Sequence, residues 1–212
     1  FWLINRKYYV IGSQLPGYKG KVYKILALWS KNTSDESEKR DYKLVRILAS
    51  IGVPVAIMFH GGVGALFGVV AARPHWHSGL FPILFLLSAL VSGGALLALI
   101  SIIFQDGYHK NKDTVLLLGK MVLGLLILDV IFQISEFLIA FRGGIPGHVA
   151  GLKLVISGKY WPVFWIWQVA LGTIVPIVLL STKLSKFPVY VGIACALIIV
   201  GIFGLRLNIV IP

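Results

Sequence analysis

The stretch from Ile47 to Phe104 reads ILASIGVPVAIMFHGGVGALFGVVAARPHWHSGLFPILFLLSALVSGGALLALISIIF. Two long apolar runs are joined there by Arg73-Pro74-His75-Trp76-His77-Ser78-Gly79. The first run carries His60-Gly61-Gly62-Val63-Gly64 near its middle, and the second carries Ser88-Ala89-Leu90-Val91-Ser92-Gly93-Gly94. A hydrocarbon core of about 30 Å needs roughly 20 apolar residues of helix, and each run supplies them. The stretch predicts a transmembrane hairpin, and the chain around it an all-α integral membrane bundle.

Composition agrees. Hydrophobic residues make up 58% of the chain and charged residues 13%, with a mean hydropathy of +0.87, whereas soluble domains carry about 25% charged residues. The formal net charge of +12 would suggest nucleic acid in a soluble protein. Here the basic residues gather at the ends of apolar runs, so topology explains them and no nucleic-acid partner is expected. The single cysteine, Cys195, cannot build a Cys-ligated iron–sulfur cluster, and no C-x-x-C-H attaches a haem. Residue 1 is Phe, followed by Trp2-Leu3-Ile4, which reads as the tail of an earlier helix in a chain incomplete at its N-terminus.

Five spans are predicted, at about Ile47–Ala72, Leu80–Phe104, Thr114–Phe141, Tyr160–Leu180 and Phe187–Leu207, each bounded by charge, Pro or Gly. Before them, Asn5 to Arg46 holds ten basic and four acidic side chains. Within it, Tyr18 to Trp29 reads as an amphipathic helix on the membrane surface, and Ser34-Asp35-Glu36-Ser37-Glu38 as a polar turn. The chain thus falls into four sections: 1–46, the end of a preceding helix plus a basic cytoplasmic loop with a surface helix; 47–104, the hairpin; 105–207, three further helices; and 208–212, the start of an outward loop. Short cytoplasmic loops carry the excess of Lys and Arg. The segment before the first full span, Lys110, Lys112, Lys183 and Lys186 put fourteen on one side. Arg73, Arg142, Lys153 and Lys159 put four on the other. The Arg73–Gly79 turn and the Arg142–Lys159 loop are therefore expected to face outward from a multi-pass protein of the cytoplasmic (inner) membrane.

The third span is the most polar. Asp129, Gln133 and Glu136 stand at i, i+4 and i+7, on one helical face over roughly 10 Å. Such a stripe is strongly unfavourable toward lipid, and chains of acids at membrane depth are a usual means of moving protons. A buried stripe that only ties helices together is the structural alternative. His60 is the one histidine well inside a span, with Gly64 and Gly68 following on its face. A haem needs axial ligands on facing helices, so none is expected on this chain. His75, His77 and His148 lack a carboxylate or thiol at ligand spacing, and no metal site is expected. The aromatic run Tyr160, Trp161, Phe164, Trp165 and Trp167 reads first as an interfacial belt.

"HGGVGALFG", "ARPHWHSGLFPILFLLSALVSGGALL", "ISEF" at Ile134–Phe137 and "LRLNIVIP" at Leu205–Pro212 resemble the NrfD/PsrC family of quinone-reactive membrane subunits. The likeness is greatest to its DsrP branch, whose members accompany dissimilatory sulfite reductase systems. The resemblance implies a helical bundle of eight to ten spans, of which this chain shows five. It also implies electron exchange between menaquinone or another quinone and an iron–sulfur, ferredoxin-like subunit on the outer face. The DsrP branch further implies a multihaem cytochrome c and a haem b membrane subunit. Arg206 and Asn208 stand at the family's Arg-x-Asn motif.

A quinone ring needs a donor or acid near each carbonyl, and histidine suits because it titrates near neutrality. His60 meets that need, with room beside it from Gly64 and an outward mouth at Arg73, Trp76 and His77. Ser88 and Ser92 are placed to face the same pocket. Asp129, Gln133 and Glu136 then form the proton path. Two rivals stand beside this expectation: an ion-coupled secondary transporter, and a membrane anchor for redox subunits with no quinone site of its own.

Overall fold

A computed structural model describes residues 2–14, 16–28, 30, 34–70, 78–104, 111–144 and 146–210. Among them every regular element is helical, and five helices are long and apolar enough to cross a membrane. The chain divides into two compact units, Phe1–Met58 and Phe59–Pro212.

In the first unit, α1 (Trp2–Gly12) and α2 (Tyr18–Leu26) form a short hairpin. It turns at Gly17, whose φ of 86° is open to glycine and strained for other residues. A Cβ on Gly12 would lie 2.7 Å from Cγ of Tyr23, so the ring of α2 rests directly on the α1 backbone. The next helix, α3 (Asp35–Gly68), begins well before Ile47. Sequence reading expected a polar turn at Ser34–Glu38, but the structure shows a capped helix start. The Ser37 N–H donates to Ser34 Oγ at 3.3 Å, and Asp35, Glu36 and Glu38 complement the helix dipole in the first turn.

Two ion pairs tie α1 to this helical extension. Arg6, 8% exposed, donates to Asp41 Oδ2 at 2.6 Å, to Ser30 Oγ at 2.6 Å and to Ser37 Oγ. Lys7, at the surface, donates to Glu38 Oε2 at 2.6 Å. That hydrogen bond, and then the Glu38 charge, hold the Lys7 amine above its ordinary range. On α2, Val22, Ile25 and Leu26, the face expected to lie on the membrane surface, are exposed, as are Lys21 and Lys24.

The second unit holds the end of α3 and the remaining elements: α4 (Phe81–Phe104), α5 (Lys112–Arg142), α6 (Pro146–Ile156), a π-helical segment (Val163–Ile174) continuing as α7 (Val175–Ser181), a 3-10 turn (Lys183–Lys186) and α8 (Pro188–Val210). Its core joins Val91, Ala95 and Ala98 of α4 to Val122 of α5 and to Ala194 and Ile198 of α8. Cys195 is fully buried beside them. Leu117, Met121, Ile131 and Leu138 of α5 remain exposed, as a lipid-facing surface requires.

Membrane helices gain little from apolar burial against one another, so small residues and close packing decide where they cross. A Cβ on Gly94 would come within 2.9 Å of Val122, and one on Gly119 within 3.0 Å of Val191. The tightest crossing is backbone on backbone: a Cβ on Gly172 would lie 2.4 Å from Cα of Gly201.

Two elements differ from expectation. The fourth span is wound over Val163–Ile174 as a π-helix, in which the Val175 N–H bonds to Ala170 O and the Thr173 hydroxyl to Gln168 O at 3.0 Å. Pro176 has no N–H, so α-type bonding cannot run unbroken from α7 back into this segment. The stretch after Arg142, expected as a loop, contains α6, and the indole of Trp165 donates to Ile156 O at that helix's end at 3.0 Å.

Candidate functional site

The polar stripe of α5 points into the bundle. Asp129 is 2% exposed; the Gln133 amide, one turn on, donates to its Oδ2 at 2.6 Å. Among the described residues its Oδ1 has no hydrogen-bond partner. The row continues across two more elements. Gln168 Nε2, in the π-helical segment, donates to Gln133 Oε1 at 3.0 Å, and Asn208 Nδ2 of α8 donates to Gln168 Oε1 at 2.9 Å. Every N–H in the row points the same way, toward Asp129. Gln168, which sequence reading missed, carries no signal beyond being a lone amide among Trp, Phe and Val.

Glu136 sits at the end of the stripe nearest Ser78. Its Oε2 accepts from Ser78 Oγ at 2.6 Å. Beside it a cavity of about 100 Å³ opens where α4 begins, α5 ends and α8 ends. Phe81 and Phe85 of α4, Phe137 of α5 and Phe164 of the π-helical segment supply aromatic walls, and Leu152 and Val155 of α6 close one side. Gln133, Glu136, Gln168, Arg206 and Asn208 bring polar atoms to it. The Arg206 guanidinium lies 3.8 Å above the Phe85 ring and donates to Ser88 Oγ at 2.5 Å.

Among the predicted residues, the structure gathers Gln133 and Glu136 at the cavity, with Asp129 bonded behind them. His60 is half-buried on α3, 5.5 Å edge-to-face from Phe59, and does not line the cavity. The room beside Gly64 is filled: a Cβ there would meet Phe81 O and Pro82 Cα at 2.6 Å, so this glycine seats the first turn of α4 against α3. Ser88 is fully buried and held by Arg206, while Ser92 Oγ donates to Ser88 O at 2.8 Å within its own helix. Arg73, Trp76 and His77 lie outside the described residues, as does His75. Within the aromatic run, Phe164 is buried at the cavity while Trp161, Trp165 and Trp167 are exposed.

The family model described as polysulphide reductase, NrfD, matches residues 8–212. The chain belongs to the NrfD family. A selenate reductase subunit of Mesobacillus selenatarsenatis is 38% identical to it over 175 residues, covering 82% of this chain and 41% of that protein. The Hdr-like menaquinol oxidoreductase integral membrane subunit of Archaeoglobus fulgidus is 27% identical over 180 residues, covering 80% and 44%. Protein NrfD of Escherichia coli is 26% identical over 164 residues, covering 76% and 51%. The chain thus spans about half the length of these curated NrfD relatives. As a family member with five apolar helices of spanning length, it is a multi-pass integral membrane protein.

Proposed function

We propose that this chain is the quinone-reactive part of a membrane subunit in a respiratory oxidoreductase complex. In this reading it passes electrons between menaquinone or another quinone and an adjacent iron–sulfur subunit on the outer face of the inner membrane. The DsrP branch is the finer reading, with a multihaem cytochrome c and a haem b membrane subunit as further partners. His60, Arg73, Trp76, His77, Ser88 and Ser92 form the ring-binding set, with Gly64 seating the first turn of α4 beside them. Asp129 and Glu136, with Gln133 between them, handle protons.

The observation that carries this reading is the bond from Ser78 to Glu136 at 2.6 Å. Ser78 closes the turn expected at the mouth of the quinone site, and Glu136 ends the acid stripe. A proton released at the mouth therefore meets a carboxylate already hydrogen-bonded to that turn. Intramembrane acids facing a bundle interior favour a functional role over a purely structural one. The menaquinol in the name of the Archaeoglobus relative supports the substrate class.

The decisive experiment purifies the full-length subunit gently in nanodiscs and identifies co-purifying polypeptides and lipid-soluble cofactors by mass spectrometry. Iron–sulfur and haem c subunits with retained quinone are expected. A chain that emerges alone, without quinone, overturns the reading in favour of a transporter. Unchanged turnover of the assembled complex in His60→Leu removes that residue from the mechanism. Unchanged turnover in the Asp129→Asn/Glu136→Gln double variant removes the proton path.

A further inference from the structure

On α2 the packed face and the apolar face are different faces. Gly20, Tyr23 and Ala27, at i, i+3 and i+7, form the packed side: Gly20 and Ala27 are buried, and the Tyr23 ring lies against Gly12 of α1. Tyr18, Val22, Ile25 and Leu26 lie on the opposite side at i, i+4, i+7 and i+8, and all four are exposed, Tyr18 by 81% and Ile25 by 69%. Lys21 and Lys24 edge that side, exposed, and neither is ion-paired among the described residues. No carboxylate stands near them in sequence, because the first Asp or Glu of the chain is Asp35.

The depth of this helix follows from α3. The Arg6–Asp41 pair ties α1 to α3, and Asp41 precedes Ile47 by six residues, about 9 Å along a helix. At Ile47, Leu48 and Ile51 the α3 surface is apolar and exposed, the start of the lipid-facing run. The headgroup layer is about 5–7 Å thick on each side of the hydrocarbon, so the α1–α2 hairpin is held where headgroups meet water. An apolar helix face edged by lysines suits that layer, because rings and branched chains enter the acyl boundary while ammonium groups reach up to phosphates. We infer that α2 is a docking site for anionic phospholipid, with Tyr18, Val22, Ile25 and Leu26 at the acyl boundary and Lys21 and Lys24 on lipid phosphates. Lys- and Arg-rich segments stay with the cytoplasmic leaflet, which is the anionic one. A soluble protein could cover an apolar face at any depth, whereas the tether of α1 to α3 fixes this one at the bilayer.

The test uses the assembled complex in nanodiscs of phosphatidylcholine, alone or mixed with phosphatidylglycerol. The photoreactive residue p-benzoylphenylalanine is incorporated at Ile25, and adducts formed on irradiation are identified by mass spectrometry. A second probe at Glu36, exposed on α3 about 16 Å along the helix from Ile47, is the control in water. Each lysine near an anionic surface is worth about fivefold in binding. Lipid adducts at Ile25 in the mixed discs are therefore expected to fall several-fold in Lys21→Gln/Lys24→Gln, with none formed at Glu36. Phosphatidylcholine alone, and high salt with both lysines in place, are expected to lower them likewise, so a folding defect in the variant leaves the test decisive. Lipid adducts indifferent to all three changes overturn the inference. Adducts to a polypeptide overturn it in favour of a protein partner, and absence of adducts in favour of a helix in water.

Discussion

Gln168 Nε2 donates to Gln133 Oε1 at 3.0 Å, and through this bond the π-helical segment reaches Asp129 on α5. Gln168 accepts from Asn208 at the same time, so it is the middle of a row that holds three elements together. Interhelical hydrogen bonds in membranes average about 0.6 kcal/mol. Gln168→Leu, which removes two of them, is expected to destabilise the subunit by about 1 kcal/mol. Unfolding in mixed detergent micelles measures this, and an unchanged midpoint would show that the row bears no weight.

The crossing of Gly172 and Gly201 leaves no room for a methyl group. A Cβ on Gly201 would lie 2.1 Å from Cα of Gly172, a distance only backbone movement can relieve. Overpacking of this kind costs about 1–3 kcal/mol. Gly201→Ala is expected to lower the thermal midpoint and to break the Asn208–Gln168 bond two turns along α8. Gly93→Ala, where a Cβ meets nothing within 4 Å, is the matched control and should leave the midpoint unchanged.

Glu136 and Ser78 separate charge from contact. Glu136→Gln keeps an oxygen for Ser78 and loses the group that takes a proton. General acid–base groups contribute about 100-fold or more, so quinone-linked turnover of the complex should fall by that order. Ser78→Ala keeps the carboxylate and should cost only a few-fold, about the effect of one hydrogen bond. Equal losses in the two variants would mean that the contact matters and the proton does not.

Asp41 holds a buried guanidinium. Removing one partner of such a pair leaves the other uncompensated, at about 3–5 kcal/mol. Asp41→Ala is therefore expected to loosen the packing of α1 against the start of α3. Faster amide exchange at Ser37 to Arg46 would report it, with Lys7→Ala, at the exposed pair, nearly silent.

The spans were legible in the sequence because length and hydropathy alone demand them, and the α5 stripe because three polar groups at helical spacing cannot face lipid. The start of α3 at Asp35 was hidden. Ser34 and three acids suit a turn or a helix cap equally until the partner of Arg6 is known. The π-helical winding leaves no periodic mark, since residues five apart share a face only once the segment is already wound that way. Gly64 was read as room for a ligand, but glycine spacing cannot say whether a ring or another helix fills the gap. Gln168 and Asn208, 40 residues apart, meet Gln133 only through tertiary packing.

The row Asn208, Gln168 and Gln133 has one more property, which follows from its chemistry. A primary amide donates and accepts hydrogen bonds but does not titrate near neutral pH. The row is therefore a polarisable link for electric field, with no titrating group of its own. A change of charge at the Asn208 end, where the cavity opens, reaches Asp129 as a realignment of dipoles, without any atom being handed along.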